Sequence, residues 1–284
     1  MQPARIVTPA AARSAHRSSP LAVFDSLWAN RQLVWQLTKR EVLGRYRGSL
    51  FGLVWSLANP LLMLAVYTLV FGYVFAARWA GAVDSTGGFA LVLFTGLTVF
   101  NLFSECITRA PGLVVGNPNY VKKVVFPLEC LAWVTLGAAL FHAAVSFAVL
   151  LAATLVVRGA LPWTVVLLPL VLLPLLLLIL GLTWILAALG VYVRDTSHVI
   201  GVLVSVLLFL SPVFYPASAL PEPLHGVLLL NPLAIVLESA RAILVWGTPP
   251  DWPGLAACTL AAGAVAWLGL LWFDRTRYGF ADVL

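Results

Sequence analysis

Basic side chains are crowded together directly before a long apolar run. Residues 48–77, which carry no charge, follow Lys39, Arg40, Arg45 and Arg47. Guanidinium and ammonium groups bind phosphate oxygens through charge-assisted hydrogen bonds. Beside an apolar run, each cation also contributes on the order of 1 kcal/mol of attraction to an anionic membrane surface. The pattern therefore predicts a membrane anchor whose cations face anionic headgroups.

Other chemistry is excluded by what the sequence lacks. A net charge of +6 would suit nucleic acid, but the basic residues are spread between apolar runs and form no polar binding module. The sequence contains no GxxxxGK[ST] phosphate loop, HExxH or GxSxG motif, and its three cysteines lack metal-ligand spacing. We therefore expect no enzyme activity, no cofactor or metal on this chain, and no nucleic-acid partner.

His142 is the ionisable residue that lies well inside an apolar run. An ionisable group within a membrane span is a functional candidate. A proton-coupled transporter would need a relay of Asp, Glu or His side chains beside it, and the neighbouring sequence offers none. We expect His142 to form hydrogen bonds between helices instead.

Aromatic side chains are grouped in the outer halves of two apolar runs. The residues are Tyr67, Phe71 and Phe75 in the first group, and Phe209, Phe214 and Tyr215 in the second. One interpretation is ordinary packing together with the aromatic belt of a membrane protein. The other is a path whose aromatic faces stack against sugar rings.

A loop over residues 105–127 contains proline, glycine and several valines next to Lys122 and Lys123. Exposed apolar residues framed by charge are typical of a surface that binds another protein. A loop that folds back on its own helices is the alternative. The sequence favours a protein-docking surface.

The composition indicates which solvent these residues meet. The chain is 62% hydrophobic and 10% charged, with a mean hydropathy of +0.99. Six charge-free intervals of at least 20 residues follow one another, which is the length that a helix needs to cross a bilayer. We predict an all-α membrane protein with six transmembrane helices over about residues 50–76, 87–104, 130–157, 162–193, 198–216 and 254–273.

Loop charge predicts the orientation of the spans. Both termini are expected in the cytoplasm, because this arrangement places 14 of the 17 basic residues there. Residues 1–20 are expected to form a disordered tail, and residues 21–47 an amphipathic interfacial helix, with a plain juxtamembrane anchor as the alternative. Residues 48–284 form the transmembrane domain.

The loop before the last span is predicted to contain short, broken helices. It is too apolar for a solvated loop, and its prolines interrupt any single span. A helix is expected to begin at Asn231-Pro232. Glu238 and Arg241, three residues apart, are expected to pair on one face of this helix.

Several segments resemble one protein family. "REVLGRYRGSLFGLVWSLANPLLMLAVYTLVFGYVF", "TRAPGLVVGNPNYVKKVVFPLE", "VRDTSHVIGVLVSVLLFLSPVFYP", "LLLNPLAIVLESAR" and the closing "RYGFADVL" are similar to the permease subunit of bacterial ABC exporters of polysaccharide, O-antigen and teichoic acid. The resemblance covers nearly the whole chain after the first twenty residues.

The resemblance implies partners and a location. Two copies of the chain would form a conduit in the bacterial inner membrane, and two separate ABC ATPase subunits, which bind ATP and Mg²⁺, would drive it. The substrate would be a lipid-linked glycan, exported to the outer side of the membrane. A small hydrophobic compound or drug is the alternative substrate.

The resemblance also implies roles for particular residues. Contact with the substrate headgroup is expected at Arg40, Arg45, Tyr46 and Arg47. Contact with the ATPase is expected at Asn117, Pro118, Tyr120, Lys122, Lys123, Phe126, Pro127, Arg194 and Asp195. The two aromatic groups would line the channel.

Overall fold

The computed structural model of the protein describes residues 22–49, 51–70, 86–122, 126–216, 226 and 231–284. Every regular element among these residues is helical, which confirms the predicted all-α class. The predicted tail over residues 1–20 lies outside the described residues, as do Phe71, Phe75 and Lys123.

Twelve α-helices are found among the described residues. They are α1, Ala22–Ala29; α2, Arg31–Arg45; α3, Val54–Tyr67; α4, Thr86–Arg109; α5, Gly112–Val115; α6, Pro118–Lys122; α7, Cys130–Arg158; α8, Leu168–Tyr192; α9, Thr196–Leu210; α10, Pro232–Arg241; α11, Trp252–Thr276; and α12, Phe280–Val283. Short 3-10 turns precede α8 and α12, and a π-helical turn over Ala242–Trp246 continues α10.

Four of the predicted spans contain helices that are long and apolar enough to cross a bilayer. These helices are α4, α7, α8 with its preceding turn, and α11 with the turn and helix that follow it. The two other predicted spans contain shorter apolar helices, which extend over Val54–Val70 and over α9. The structure therefore supports four spans directly and places a shorter apolar helix in each of the remaining two.

Two helices, α1 and α2, occupy the segment in which the sequence predicts one amphipathic helix. They are separated at Asn30, whose side-chain amide donates to the Ser26 carbonyl at 3.0 Å. Helical spacing predicts that Trp28, Val34 and Trp35 share one apolar stripe. The structure divides this stripe, because Val34 is buried whereas Trp28 and Trp35 are 72% and 70% exposed. The buried face of α2 is therefore narrower than the sequence pattern indicates.

The buried face of α2 packs along the first turns of α7. Val34 packs in a small cluster with Cys130 and Val134. Further along both helices, Thr38 lies so close to Gly137 that a Cβ there would be 2.9 Å from the threonine hydroxyl. Residues later in α2 thus contact residues later in α7, so the two helices run parallel to each other.

α8 and α11 cross with their backbones in contact. A Cβ on Gly181 of α8 would lie 2.5 Å from the Val265 carbonyl oxygen, and a Cβ on Gly269 of α11 would lie 2.4 Å from the Gly181 carbonyl oxygen. Small residues allow helices in lipid to approach this closely, where van der Waals packing drives association. This crossing is the most extensive contact between two of the described helices.

The predicted helix start at Asn231-Pro232 is confirmed. The Asn231 side chain accepts a hydrogen bond from the backbone N–H of Leu233 at 3.0 Å and so caps α10. Its amide also donates to the Ser211 hydroxyl at 2.9 Å, just beyond the end of α9. These bonds fix α10 against the segment that leads out of α9.

The opposite end of the bundle, the predicted cytoplasmic end, contains α5, α6, the turn between α8 and α9, and α12. α5 packs against α8 at Gly190, where a Cβ would lie 2.1 Å from the Pro111 carbonyl oxygen. Phe280 of α12 is buried against the rings of Phe273 and Tyr192. The C-terminal segment thus closes this end of the bundle.

Candidate functional site

A charged cluster joins three helices near the predicted cytoplasmic end. Arg45, the last residue of α2, places Nη1 2.7 Å from Oε1 of Glu105 on α4. Both Glu105 carboxylate oxygens lie 3.1 Å from Nδ1 of His142 on α7. His142 thus takes part in hydrogen bonding between helices, as the sequence predicts.

The His142 ring faces two competing partners. Its Nδ1 also lies 3.0 Å from Arg45 Nη1. Because a ring nitrogen either donates or accepts, Nδ1 can bond to the Glu105 carboxylate or to the Arg45 guanidinium, but not to both at once. The arrangement around Arg45 and Glu105 therefore has two alternative hydrogen-bonding patterns.

A second ion pair extends this cluster along α4. Arg109 pairs with Glu41 of α2, and its Nη1 lies 3.8 Å from Glu105 Oε1. Together, Glu41, Arg45, Glu105, Arg109 and His142 form what we call the Glu105 cluster. Its two arginines balance its two carboxylates, and its side chains are partly exposed, from 16% for His142 to 43% for Arg45.

The Glu105 cluster contains residues that the sequence does not single out. Arg45 is a predicted headgroup contact, but Glu41, Glu105 and Arg109 are not predicted site residues. The available signal is that Glu105 and Arg109 are charges at the end of a predicted span. Their pairing with α2 depends on the tertiary packing.

Tyr46 and Arg47 follow α2 directly. The Tyr46 ring meets the His142 ring edge-on, with centroids 6.1 Å apart and planes at 82°. Burial raises the pKa of Tyr46 above its usual value, so its hydroxyl stays protonated and can donate a hydrogen bond. Arg47 is exposed in the turn that Gly48 ends with φ of 85°.

Arg40 connects α2 to the predicted ATPase-contacting loop. Its Nη2 donates to the Tyr120 hydroxyl on α6 at 2.8 Å. The Tyr120 ring stacks on Phe126, with centroids 4.4 Å apart and planes at 12°. The headgroup candidates and the loop candidates are therefore in direct contact through this hydrogen bond.

The remaining described loop candidates are close to this contact along the chain. Asn117 donates from its side chain to the Leu113 carbonyl at 2.9 Å, just before α6 begins at Pro118. Pro118 and Lys122 are exposed, and Pro127 is half-buried. Such an exposed short helix can meet a partner protein.

Arg194 and Asp195 lie in the turn between α8 and α9, and both are exposed. The Asp195 carbonyl accepts from the backbone N–H of His198 at 3.0 Å, which begins α9. α12 also lies at this end and contacts α6. The predicted ATPase contacts from separate loops therefore share one end of the bundle.

The described aromatic candidates lie on the two shorter apolar helices and just beyond α9. Phe209 and Phe214 have centroids 5.8 Å apart, and the Tyr215 hydroxyl donates to the Phe209 carbonyl at 3.0 Å. Phe209 is 68% exposed, and Tyr67 is half-buried on α3. The three residues of the second aromatic group therefore contact one another, and the Phe209 ring is exposed.

Arg241 has a structural role that the sequence indicates only in part. Its predicted pairing with Glu238 is confirmed at 2.9 Å. Its side chain is completely buried, and it also donates to the carbonyls of Pro212 and Val213 at 2.6 and 2.7 Å. These carbonyls follow the end of α9, so Arg241 fastens α10 to that end.

Comparison with known proteins identifies the family. The ABC-2 type transporter family matches residues 32–245. The O-antigen export system permease protein RfbA of Myxococcus xanthus is 30% identical over 258 residues, which cover 90% of this chain and 96% of the relative. A Klebsiella pneumoniae protein of the same name is 24% identical over 87% of this chain and 93% of its own length.

A relative from Escherichia coli, the polysialic acid transport protein KpsM, is 26% identical over 84% of this chain and 90% of its own length. The family match over residues 32–245 includes the segments that carry the Glu105 cluster and the α2–α6 contact. Because the family match extends over well more than half of an all-helical, apolar chain, this protein belongs to the ABC-2 type transporter family.

Proposed function

We propose that this chain is the transmembrane subunit of an ATP-driven exporter of lipid-linked polysaccharide. The observation that carries the proposal is similarity over 84% or more of the chain to proteins named for O-antigen export and polysialic acid transport. Membership in the ABC-2 type transporter family supports the proposal that the chain is a membrane-embedded transport subunit that works with ABC ATPases. In this proposal ATP and Mg²⁺ bind to the ATPase subunits.

In the proposed arrangement, α3 and α9 complete a set of six spans. Both termini then lie on the cytoplasmic side of a bacterial inner membrane. The distribution of basic residues supports this orientation, because only Arg78, Arg158 and Arg241 fall in the outer segments. The α1–α2 segment would lie at the inner surface, where its exposed tryptophans meet lipid headgroups.

A second copy of the chain would complete the conduit. Within the described structure α3 has no buried residue, and α9 has only Thr196 and Val204. These two helices also carry the described aromatic candidates Tyr67 and Phe209. A sugar path lined by these rings would therefore lie between two copies, which enclose it away from lipid.

The ATPase is proposed to act through α6 and the Arg194-Asp195 turn. Both segments are exposed at the same end of the bundle. Movement of α6 would reach α2 through the Tyr120–Arg40 hydrogen bond. It would then reach the Glu105 cluster, because Arg45 ends the same helix.

The lipid-linked phosphate is proposed to meet Arg45, Tyr46 and Arg47. Guanidinium groups match phosphate oxygens in charge and geometry, and the protonated Tyr46 hydroxyl adds a donor. The glycan would stack against aromatic rings, which bind many sugars without strong preference. This arrangement suits a polymer that must slide through.

The test is deletion of the gene in its bacterium, followed by separate measurement of surface glycan and of lipid-linked glycan on the cytoplasmic side. We expect loss of surface glycan and cytoplasmic accumulation, both restored by the intact chain. A matched chain has residues 117–127 replaced by a Gly-Ser linker of equal length. It should reach the membrane in equal amount without restoring export.

Unchanged surface glycan after deletion would contradict the proposed function. Export of small hydrophobic compounds would then be measured in the same deletion strain. Full export by the linker-substituted chain would contradict the assignment of the ATPase contact to α6.

A further inference from the structure

Two guanidinium groups converge on the carboxylate of Glu105. Arg45 contacts it at 2.7 Å and Arg109 lies 3.8 Å away, with His142 on a third side. The Glu105 side chain is 19% exposed, whereas the Arg45 side chain is 43% exposed. The Glu105 carboxylate is therefore the more buried partner of the Arg45 guanidinium. The exposed part of that guanidinium is accessible to a second anion.

We propose that Glu105 is an internal anion that competes with the phosphate of the substrate for Arg45. Carboxylate and phosphate bind a guanidinium in the same way, by parallel charge-assisted hydrogen bonds. When the phosphate binds, Arg45 leaves Glu105 and turns outward. The inference rests on the proposed function, because it takes the substrate to be a lipid-linked phosphate.

The exchange leaves no carboxylate without a partner. After Arg45 leaves, Glu105 keeps His142 at 3.1 Å and Arg109 at 3.8 Å. The loss of Arg45 also removes the competition at His142 Nδ1, which is then available to donate to Glu105 alone. An ion pair that is broken without such replacement would be costly.

The position of Arg45 allows the movement. It is the last residue of α2, and the turn that follows contains Gly48 with φ of 85°, a conformation suited to glycine. Arg109 also ends its helix, α4, but it is held by a second carboxylate, that of Glu41. Arg45 is therefore the guanidinium that exchanges partners, and Arg109 is the one that stays.

The experiment measures binding of farnesyl diphosphate to the full chain, purified with its ATPase partner in nanodiscs of zwitterionic lipid. Glu105→Gln removes the competing charge, and we expect its Kd to fall about three- to fivefold, the effect of losing one partly exposed ion pair. Arg45→Ala should raise the Kd by a similar factor. Farnesol, which lacks phosphate, should bind all variants equally.

Asp282→Asn is the matched control. It removes one exposed carboxylate on α12, outside the Glu105 cluster, so its Kd should stay within about twofold of the original. Equal tightening by both variants would indicate a general charge effect and overturn the proposal. An unchanged or raised Kd for a folded Glu105→Gln variant would also overturn it.

Glu105→Asp provides a second test if Glu105→Gln does not fold. It keeps the charge but withdraws it from Arg45 by one methylene, so a smaller fall in Kd is expected. If surface glycan depends on the chain in cells but the purified complex does not bind farnesyl diphosphate, the inference fails while the proposed function stands. If deletion of the gene leaves surface glycan unchanged, the proposed function itself is contradicted.

Discussion

Arg241 shows how one side chain can hold several chain segments together. Its guanidinium donates to two carbonyls just beyond α9 and lies 3.4 Å from the Val92 carbonyl of α4. Gly96 of α4 leaves the space that the guanidinium fills, since a Cβ there would lie 2.8 Å from Nη2. Buried polar backbone groups need such partners in a water-poor environment.

Arg241→Ala should destabilise the protein by about 2–4 kcal/mol, because each carbonyl left without a donor costs about 1–3 kcal/mol. The measurement is the free energy of unfolding from SDS titration in mixed micelles, followed by tryptophan fluorescence. Arg194→Ala, an exposed arginine, is the control and should change the free energy by no more than about 0.5 kcal/mol. Equal effects would contradict the assigned role.

α2 and α6 are connected by a hydrogen bond that can be removed without disturbing the packing. Tyr120→Phe keeps the ring stacked on Phe126 but removes the acceptor for Arg40. If this bond transmits motion from the ATPase, its loss should reduce transport and leave assembly intact. The contact therefore offers a test at the level of two helices.

We expect Tyr120→Phe and Arg40→Ala each to lower glycan export several-fold. The double variant should lose no more than the larger single effect, since both changes remove the same interaction. Surface glycan is the measurement, with co-purification of the ATPase as the control for assembly. Additive losses would indicate that the two residues act separately.

The crossing of α8 and α11 depends on glycine at the contact. Gly181 faces the backbone of Val265 and Gly269 faces the backbone of Gly181, whereas a Cβ added at Gly263 on α11 would meet no atom within 4 Å. A methyl group at the contact would force the helices apart, and overpacking of this kind costs about 1–3 kcal/mol. The same methyl group at Gly263 meets nothing.

Gly181→Ala should therefore lower the free energy of unfolding by about 1–3 kcal/mol in the SDS titration. Gly263→Ala should be neutral or stabilising by up to about 1 kcal/mol, because alanine favours the helix. This pair separates packing from helix propensity. Equal destabilisation by both variants would show that the crossing is not the cause.

Among the helices in the predicted spans, α3 and α9 are the least buried, and this matters for how the molecule as a whole would work. Each presents apolar side chains that the rest of the described chain does not cover. In a homodimer, α3 of one copy would face α9 of the other. The described native cysteines are buried, so introduced cysteines can report this contact.

A chain carrying Leu62→Cys on α3 and Val202→Cys on α9 should form an oxidative cross-link between two copies in native membranes. The product should run at twice the mass of the 30.6 kDa chain and revert on reduction. Leu62→Cys with Leu260→Cys on α11, which is 77% exposed, is the control and should stay monomeric. Efficient cross-linking of the control pair would contradict the proposed interface.

Much of the fold is readable from local patterns. Charge-free intervals bound α4, α7, α8 and α11 closely, because hydrocarbon excludes charge over a fixed thickness. The Asn231-Pro232 pair marks the start of α10, since capping and proline geometry act within a few residues. The Glu238–Arg241 pair follows in the same way from helical spacing.

The sequence by itself determined the helical class, the apolar spans and the basic segment before them, because hydropathy and helix caps depend on neighbours along the chain. Only the tertiary structure brought Arg45, Glu105 and His142 together, since 60 and 97 residues separate Arg45 from its partners. It likewise decided the burial of Arg241 and the division of the α2 stripe. Such contacts depend on which helices pack side by side. Local periodicity shows which face of a helix is apolar, but it does not show which helix packs against that face.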